Sequence, residues 1–195
     1  MPYAPEHKIR TRARIVECAR LLFNRRGFSE VTIDEIMAEA GLTRGGFYKH
    51  FATKDELYAE AIRSFRATNP LARRVAELDR PPEPRELAVL LVTLYLSDEV
   101  AADPDKHCPL HALPSDIARS GHAPRVAYTE AIERMAGAFR RALGPGAAST
   151  RKAELLVSIC VGGMVLSRTT SDPALARSLR DTARTEALAI LTAAR

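Results

Sequence analysis

The stretch from Thr32 to Lys54, TIDEIMAEAGLTRGGFYKHFATK, constrains this chain most, because it fits two short helices joined by a tight turn. Ile33, Ile36, Met37 and Ala40 recur at helical spacing and give the first helix one buried face. Thr32 followed by Glu35 is a capping box, which satisfies free N–H groups at that helix start. Gly41 supplies the left-handed residue that closes the helix. Leu42 then turns into the core, and Thr43 caps a second helix. Phe47 and Phe51 stand four residues apart and face the same core, which leaves Arg44, Tyr48, Lys49 and His50 pointing elsewhere. The pattern is that of a helix-turn-helix, with Arg44 to His50 as its recognition helix. Gly45 and Gly46 break a local rule, each costing roughly 1 kcal/mol against alanine inside a helix. A surface without side chains lets another molecule come close, and local inconsistency of this kind is expected at functional sites.

The leading Thr-Ile, the Ala-Gly-Leu-Thr turn, and Phe-Tyr-Lys-His-Phe followed by Lys-Asp-Glu-Leu resemble the DNA-binding motif of the TetR family of transcriptional regulators, over residues 8 to 66. The resemblance implies an all-α chain, and the helical segments along the sequence number about nine. It implies a three-helix DNA-binding head (1–53) and a larger ligand-binding and dimerisation body (54–195). It also implies a homodimer and a repressor released from DNA by a small-molecule inducer. Thr43, Arg44, Gly45 and Gly46 are then expected in the major groove, and Thr32, Tyr48, Lys49, His50 and Lys54 on backbone phosphates. The fork of Arg44 matches the two acceptors of guanine, with a phosphate contact as its alternative. His50 has the alternative of capping the helix end. A dimer sets two recognition helices about one DNA turn apart, so double-stranded DNA with an inverted repeat is the expected partner.

Charge placement agrees. The net charge is +5, and the first 26 residues carry all of it, with seven basic residues against Glu6 and Glu17. A basic cluster beside a helix-turn-helix is the footprint of a DNA binder. A non-specific architectural DNA protein also has such a head, but not a large neutral body. No stretch reaches the about 20 apolar residues that span a bilayer, and the N-terminus lacks a signal pattern. A soluble, cytoplasmic protein without membrane contact is expected. Three scattered cysteines, Cys18, Cys108 and Cys160, make no disulfide framework. No phosphate loop, G-x-S-x-G or H-E-x-x-H is present, so neither an enzyme nor a cofactor is expected.

Along the chain, Met1 to Glu6 reads as a flexible arm and His7 to Arg26 as helix 1, ended by Gly27. Thr53 caps a helix that reaches either Asn69-Pro70 or, through a kink there, Leu78. Apolar residues nearly all round mark Glu86 to Val100 as a buried helix. Leu110 to Arg119 is a short helix disturbed by Pro114. Helices follow over Pro124 to Leu143, Ser149 to Thr170 and Pro173 to Ala194, with Asp172 as cap between the last two. Gly162-Gly163 allow close helix approach, and the two last helices (about 149–194) are where the resemblance puts the dimer interface.

For the body, an effector pocket is expected among its helices, with Tyr58, Phe65, Leu94, Tyr95, Tyr128, Met135 and Met164 among its walls. The segment Lys106-His-Cys-Pro-Leu-His111 invites two further readings. Its ligand set is incomplete for zinc, so no metal is expected. Cys108, beside Lys106, His107 and His111, could be a thiolate sensor of electrophiles or oxidants. The segment resembles a branch of the family with a Gly-Cys-Pro element here, although His107 stands where glycine is usual. A half-buried structural cysteine is the alternative.

Overall fold

A computed structural model describes residues 5–193, and every regular element among them is helical. α1 (Pro5–Arg26) buries Ile15, Val16, Ala19 and Phe23 along one stripe. α2 (Ile33–Glu39) opens on the expected capping box. The Glu35 N–H donates to Thr32 Oγ1 at 3.2 Å, and the Thr32 N–H donates to Glu35 Oε2 at 2.7 Å. Gly41 is left-handed, at φ +63°, and the Leu42 N–H returns to Met37 O at 2.8 Å. Residues Arg44–Lys49 form a 3₁₀ helix rather than the expected α-helix. Thr43 holds the cap position without a side-chain bond, and two glycines leave little to favour the wider α turn.

α3 (Lys54–Thr68) carries the head into the body. Thr53 caps it, accepting from the Glu56 N–H at 3.1 Å. Asn69 ends α3 and starts α4 (Pro70–Ala76), its Oδ1 accepting the Ala72 N–H at 2.8 Å, so the chain breaks here into a new short helix. α5 (Pro84–Tyr95) stops before the expected Val100, because Ser97 caps a separate α6 (Asp98–Ala102). A 3₁₀ turn (Pro104–Lys106) leads to α7 (Pro109–Ala112) and α8 (Pro114–Arg119), two helices where one was expected, each started by its own proline. α9 (His122–Leu143), α10 (Ala147–Thr169) and α11 (Pro173–Ala193) complete the body, with Asp172 Oδ1 accepting the Ala174 N–H at 2.8 Å. The breaks add three α-helices and the 3₁₀ recognition helix removes one, so the expected nine become eleven α-helices among the described residues. Of the arm expected over Met1 to Glu6, Pro5 and Glu6 already belong to α1 and the rest lies outside the described residues, as does Ala194.

Two apolar cores result. The first joins α1, α2, Phe47 and Phe51 to Leu57, Tyr58 and Ile62 of α3, and reaches Leu113, Ile117 and Ala127 of the body, so packing runs on past residue 53. The second lies among α5, α9, α10 and α11, around Val92, Leu96, Phe139, Leu156, Cys160 and Met164. Gly163 lets α10 lie against α11, since a Cβ there would stand 2.5 Å from that of Ala183. On the outer side of this helix pair Leu155, Leu166 and Leu175 are about half exposed.

Candidate nucleic-acid interface and effector cavity

At the outer edge of the head, Thr32, Thr43, Arg44, Gly45, Tyr48 and Lys49 are exposed on one short stretch of backbone. Phe47 anchors that stretch, fully buried, with Phe51 at 5.7 Å between ring centroids. The two glycines part company. A Cβ on Gly45 would meet nothing within 4 Å, whereas one on Gly46 would touch Met37 Cε at 3.4 Å. Gly45 is open to an incoming molecule, and Gly46 serves the packing of the recognition helix on α2. The Arg44 guanidinium pairs with Asp34 at 2.7 Å, both groups well exposed. Such a pair is worth little in water and leaves Arg44 free to exchange partners.

Two of the expected phosphate ligands sit differently. Lys54 turns inward: its ammonium donates to Phe28 O and lies 4.1 Å from the Phe28 ring centroid. Burial lowers its pKa. Its aliphatic stem starts α3 beside an aromatic cluster, so the cation is used to hold Phe28. His50 is half buried at the end of the 3₁₀ helix, where its backbone N–H donates to Phe47 O and its Nδ1 has no partner among the described residues. Burial, then Lys8, Arg12 and Lys49, push its pKa down. Lys8 and Lys49 thus share a cationic corner with His50. The basic cluster of α1 is partly consumed within the fold. Arg12 pairs with Glu60, Arg20 with Glu17, Arg25 with Asp105 and Arg26 with Glu35, while Lys8, Arg10 and Arg14 remain exposed.

The head is tied to the body by side chains that sequence patterns do not reveal. Buried Asn24 donates to His107 O at 2.9 Å and Pro104 O at 3.3 Å. Arg20 donates to Asp105 O at 2.9 Å. The Phe28 N–H donates to Asp116 Oδ2, also at 2.9 Å, and left-handed Gly27 lets that carboxylate in, since a Cβ there would stand 2.8 Å from it. All three ties reach the segment from Pro104 to Asp116, far away in sequence. The one available signal was a polar Asn within the apolar stripe of α1.

That same segment walls a cavity of about 280 Å³ between α3, α5 and α9, at the small end of ligand pockets. Of the residues expected to line it, Phe65, Leu94, Tyr95 and Met135 do so, and Cys108, expected as a sensor, stands in the wall beside them. Tyr58, Tyr128 and Met164 do not, nor does His107. Tyr58 stacks on Phe28 at 4.5 Å in the head core. The Tyr128 hydroxyl donates to Leu110 O at 2.7 Å, behind the wall. Met164 is fully buried against α11 and the core. His107 is buried with its Nε2 at 3.3 Å from Ala101 O. Apolar periodicity marks a residue as buried but cannot say which of two cores receives it. Leu91, Leu110 and Ala131 form much of the rest of the wall, and Arg66, Arg134 and Arg141 stand at its exposed mouth.

The reasoning for an activated thiol at Cys108 fails on its surroundings. Burial pushes the thiol up to about 11. Lys106 is taken by Glu99 at 2.9 Å and Asp103 at 3.5 Å. Burial also lowers the pKa of His107 and, far more, of His111, so neither ring supplies a cation at neutral pH. His111 instead accepts the Cys108 N–H at 3.1 Å, as a brace for the start of α7. The surface that half-buried Cys108 does expose lies on the cavity wall.

Residues 15–61 match the family model described as bacterial regulatory proteins, tetR family. The HTH-type transcriptional regulator TtgR of Pseudomonas putida is 36% identical over 74 residues, which cover 38% of this chain and 35% of TtgR. The chain thus spans about a third or less of the length of the curated relatives it matches. Among solved structures, reduced NemR of E. coli superposes with a TM-score of 0.74 at 15% identity, covering 91% of this chain and 95% of NemR. The SmeT–triclosan complex gives 0.59 at 25% identity, covering 92% and 90%. The match over residues 15–61, and a fold shared over 92% of this chain with a TetR-family regulator from Agrobacterium tumefaciens at a TM-score of 0.67, make the head and the overall fold similar to those of the TetR family of bacterial transcriptional regulators.

Proposed function

We propose that this protein is a homodimeric repressor that binds an inverted-repeat operator and leaves it when a small molecule fills the cavity between α3, α5 and α9. One observation carries the switch. The segment 104–110 lines the cavity with Lys106, Cys108, Pro109 and Leu110, and from its other side bonds α1 through Pro104 O, Asp105 O and His107 O. A ligand that displaces this wall moves the anchor of the head. It lowers DNA affinity only by the difference between its affinities for the two arrangements. The head (1–53) reads DNA in this scheme. Arg44 exchanges Asp34 for a base edge, Gly45 allows close approach, and Thr32, Thr43, Tyr48 and Lys49 meet phosphates. Lys8 joins them beside Lys49 at the His50 corner, and Lys54 and Gly46 support from inside. The half-exposed leucines of α10 and α11, Leu155, Leu166 and Leu175, support a dimer through residues 149–194.

The test is a gel shift on DNA from upstream of the protein's own gene, with random DNA as competitor. Arg44→Ala is expected to lower the specific-to-random ratio, by about tenfold for the loss of one bidentate base contact. An unchanged ratio would remove the base-reading role. Small lipophilic molecules added to the same assay should release the DNA. Triclosan, bound by SmeT, is a first compound to try. A second reading, a covalent electrophile sensor, draws on the place of Cys108 in the cavity wall. Release by a quinone that Cys108→Ser abolishes and a reductant reverses would favour it. Release that survives Cys108→Ser would leave the non-covalent switch.

A further inference from the structure

We infer that the effector is an amphipathic organic anion, an apolar body carrying a carboxylate or similar acid; this rests on the cavity being the effector site proposed above. The cavity is polarised along its length. Its inner wall is buried and apolar, with Leu110, Val100 and Met135 all under a tenth exposed. Its mouth holds three exposed arginines, Arg66, Arg134 and Arg141. Among the described residues no aspartate or glutamate lines it. None of the three arginines has a carboxylate partner among the described residues. Glu130, whose charge is felt by Arg134, is held through both oxygens by Arg63 at 2.9 Å. Lys106, the fourth cation of the lining, is taken by Glu99 and Asp103. Most arginines elsewhere in the head and body find an acid, so three uncompensated ones round an apolar opening form a local positive field with an apolar floor behind it.

A second observation points to a bound molecule. Tyr95 is nine-tenths buried on the cavity wall, and its enclosed hydroxyl meets only the Cys108 thiol, with no oxygen or nitrogen partner among the described residues. Buried hydroxyls in folded proteins are almost always hydrogen-bonded and a thiol is a weak partner, so a ligand oxygen that reached this wall would find a donor still to be satisfied. A neutral hydrocarbon would leave the mouth arginines unanswered. A cation would be repelled by them. A fully polar anion would have to desolvate against the leucine wall. An acid with an apolar body satisfies both ends at once.

Isothermal titration of the purified full-length protein tests this with hexanoate, octanoate, decanoate and dodecanoate, each beside its uncharged amide. Nile red serves as a neutral probe of the cavity. At least one acid is expected to bind about fivefold or more tightly than its amide. Arg66→Gln, Arg134→Gln and Arg141→Gln should each weaken the acid by about two- to fivefold, as for exposed ion pairs, and leave the amide unchanged. The triple variant should erase the preference. Equal binding of acid and amide, or a preference that survives the triple variant, overturns the anion while leaving the effector cavity in place. Nile red binding without any acid binding does the same. If no acid, amide or Nile red binds, the effector cavity itself fails, and the anion with it.

Discussion

Gly162 and Gly163 are neighbours in α10, yet replacing each by alanine is expected to move stability in opposite directions. A Cβ on Gly163 would stand 2.5 Å from the Cβ of Ala183 and 3.6 Å from Leu96 Cδ2. Carbon atoms rest at about 3.5–4.0 Å, so α10 and α11 must part by about 1 Å. Overpacking of this kind costs about 1–3 kcal/mol. Two helix backbones, rather than a flexible tip, would have to yield, which puts the cost in the upper part of that range. Alanine recovers about 1 kcal/mol over glycine in a helix, which leaves a net loss of about 1–2 kcal/mol. In a chain of this size each kcal/mol moves Tm by about 2–4 °C, so Gly163→Ala should melt about 2–8 °C lower. At Gly162 a Cβ meets nothing within 4 Å, so Gly162→Ala keeps the helical gain and should melt about 2–4 °C higher. Thermal unfolding followed by circular dichroism, at several protein concentrations, measures both. Concentration matters because association stabilises the folded state by mass action. A Gly163→Ala protein as stable as the parent would refute the close-packing argument. A Gly162→Ala protein that loses stability only at concentrations where the parent dimerises would place a partner helix against that face.

Three other perturbations probe the head and the segment behind the cavity. Lys54→Met should lower stability by about 1–3 kcal/mol through loss of its charged hydrogen bond and the contact with Phe28. It should leave the specific-to-random DNA ratio unchanged in a gel shift. Weaker DNA binding at unchanged stability would return Lys54 to a phosphate-binding role. His50, His107 and His111 all have folded pKa values below the unfolded 6.5, chiefly through burial. The unfolded chain therefore takes up more protons below pH 6.5, so their contribution is intact above that value and is lost as pH falls. Urea unfolding between about pH 7 and 5 should show stability falling by up to about 1.4 kcal/mol per pH unit for each histidine involved, and His111→Asn should flatten the slope; a profile as steep in that variant would absolve His111. With its pKa near 11, the Cys108 thiol is ionised in about one molecule in ten thousand at pH 7. Iodoacetamide, with mass spectrometry to assign the site, should therefore label it at least about tenfold more slowly in the native protein than in urea. Fast native labelling would reopen the sensor reading.

How much was legible in the chain alone divides by the range of the interactions involved. The helix-turn-helix was readable because its parts are local. Thr32 and Glu35 cap one turn, Gly41 closes it, and Phe47 and Phe51 meet across one helical turn. Each contact spans a few residues and leaves a pattern at fixed spacing. Pro173 likewise marks the helix start it occupies, whereas Pro114, expected to disturb a helix, starts one of its own. The same local rules misjudged Arg44–Lys49, where two glycines leave the choice between α and 3₁₀ close, and α5, which a single serine cap cuts short.

What tertiary structure alone decided is the use made of each side chain over long separations. Lys54 looks like a phosphate ligand until Phe28, 26 residues away, folds under its ammonium. Cys108 looks activated by its cationic neighbours until Glu99 takes Lys106 and burial discharges both histidines. Tyr58 and Met164 carry the same apolar signature as Phe65 and Met135, yet only the latter two face the cavity. The tie from Asn24 to His107 O joins residues 83 apart. Periodicity reports that a face is buried, because burial depends on local composition. Which core it enters, and which charge finds which partner, depends on where distant segments come to lie, and that is set only when the helices pack.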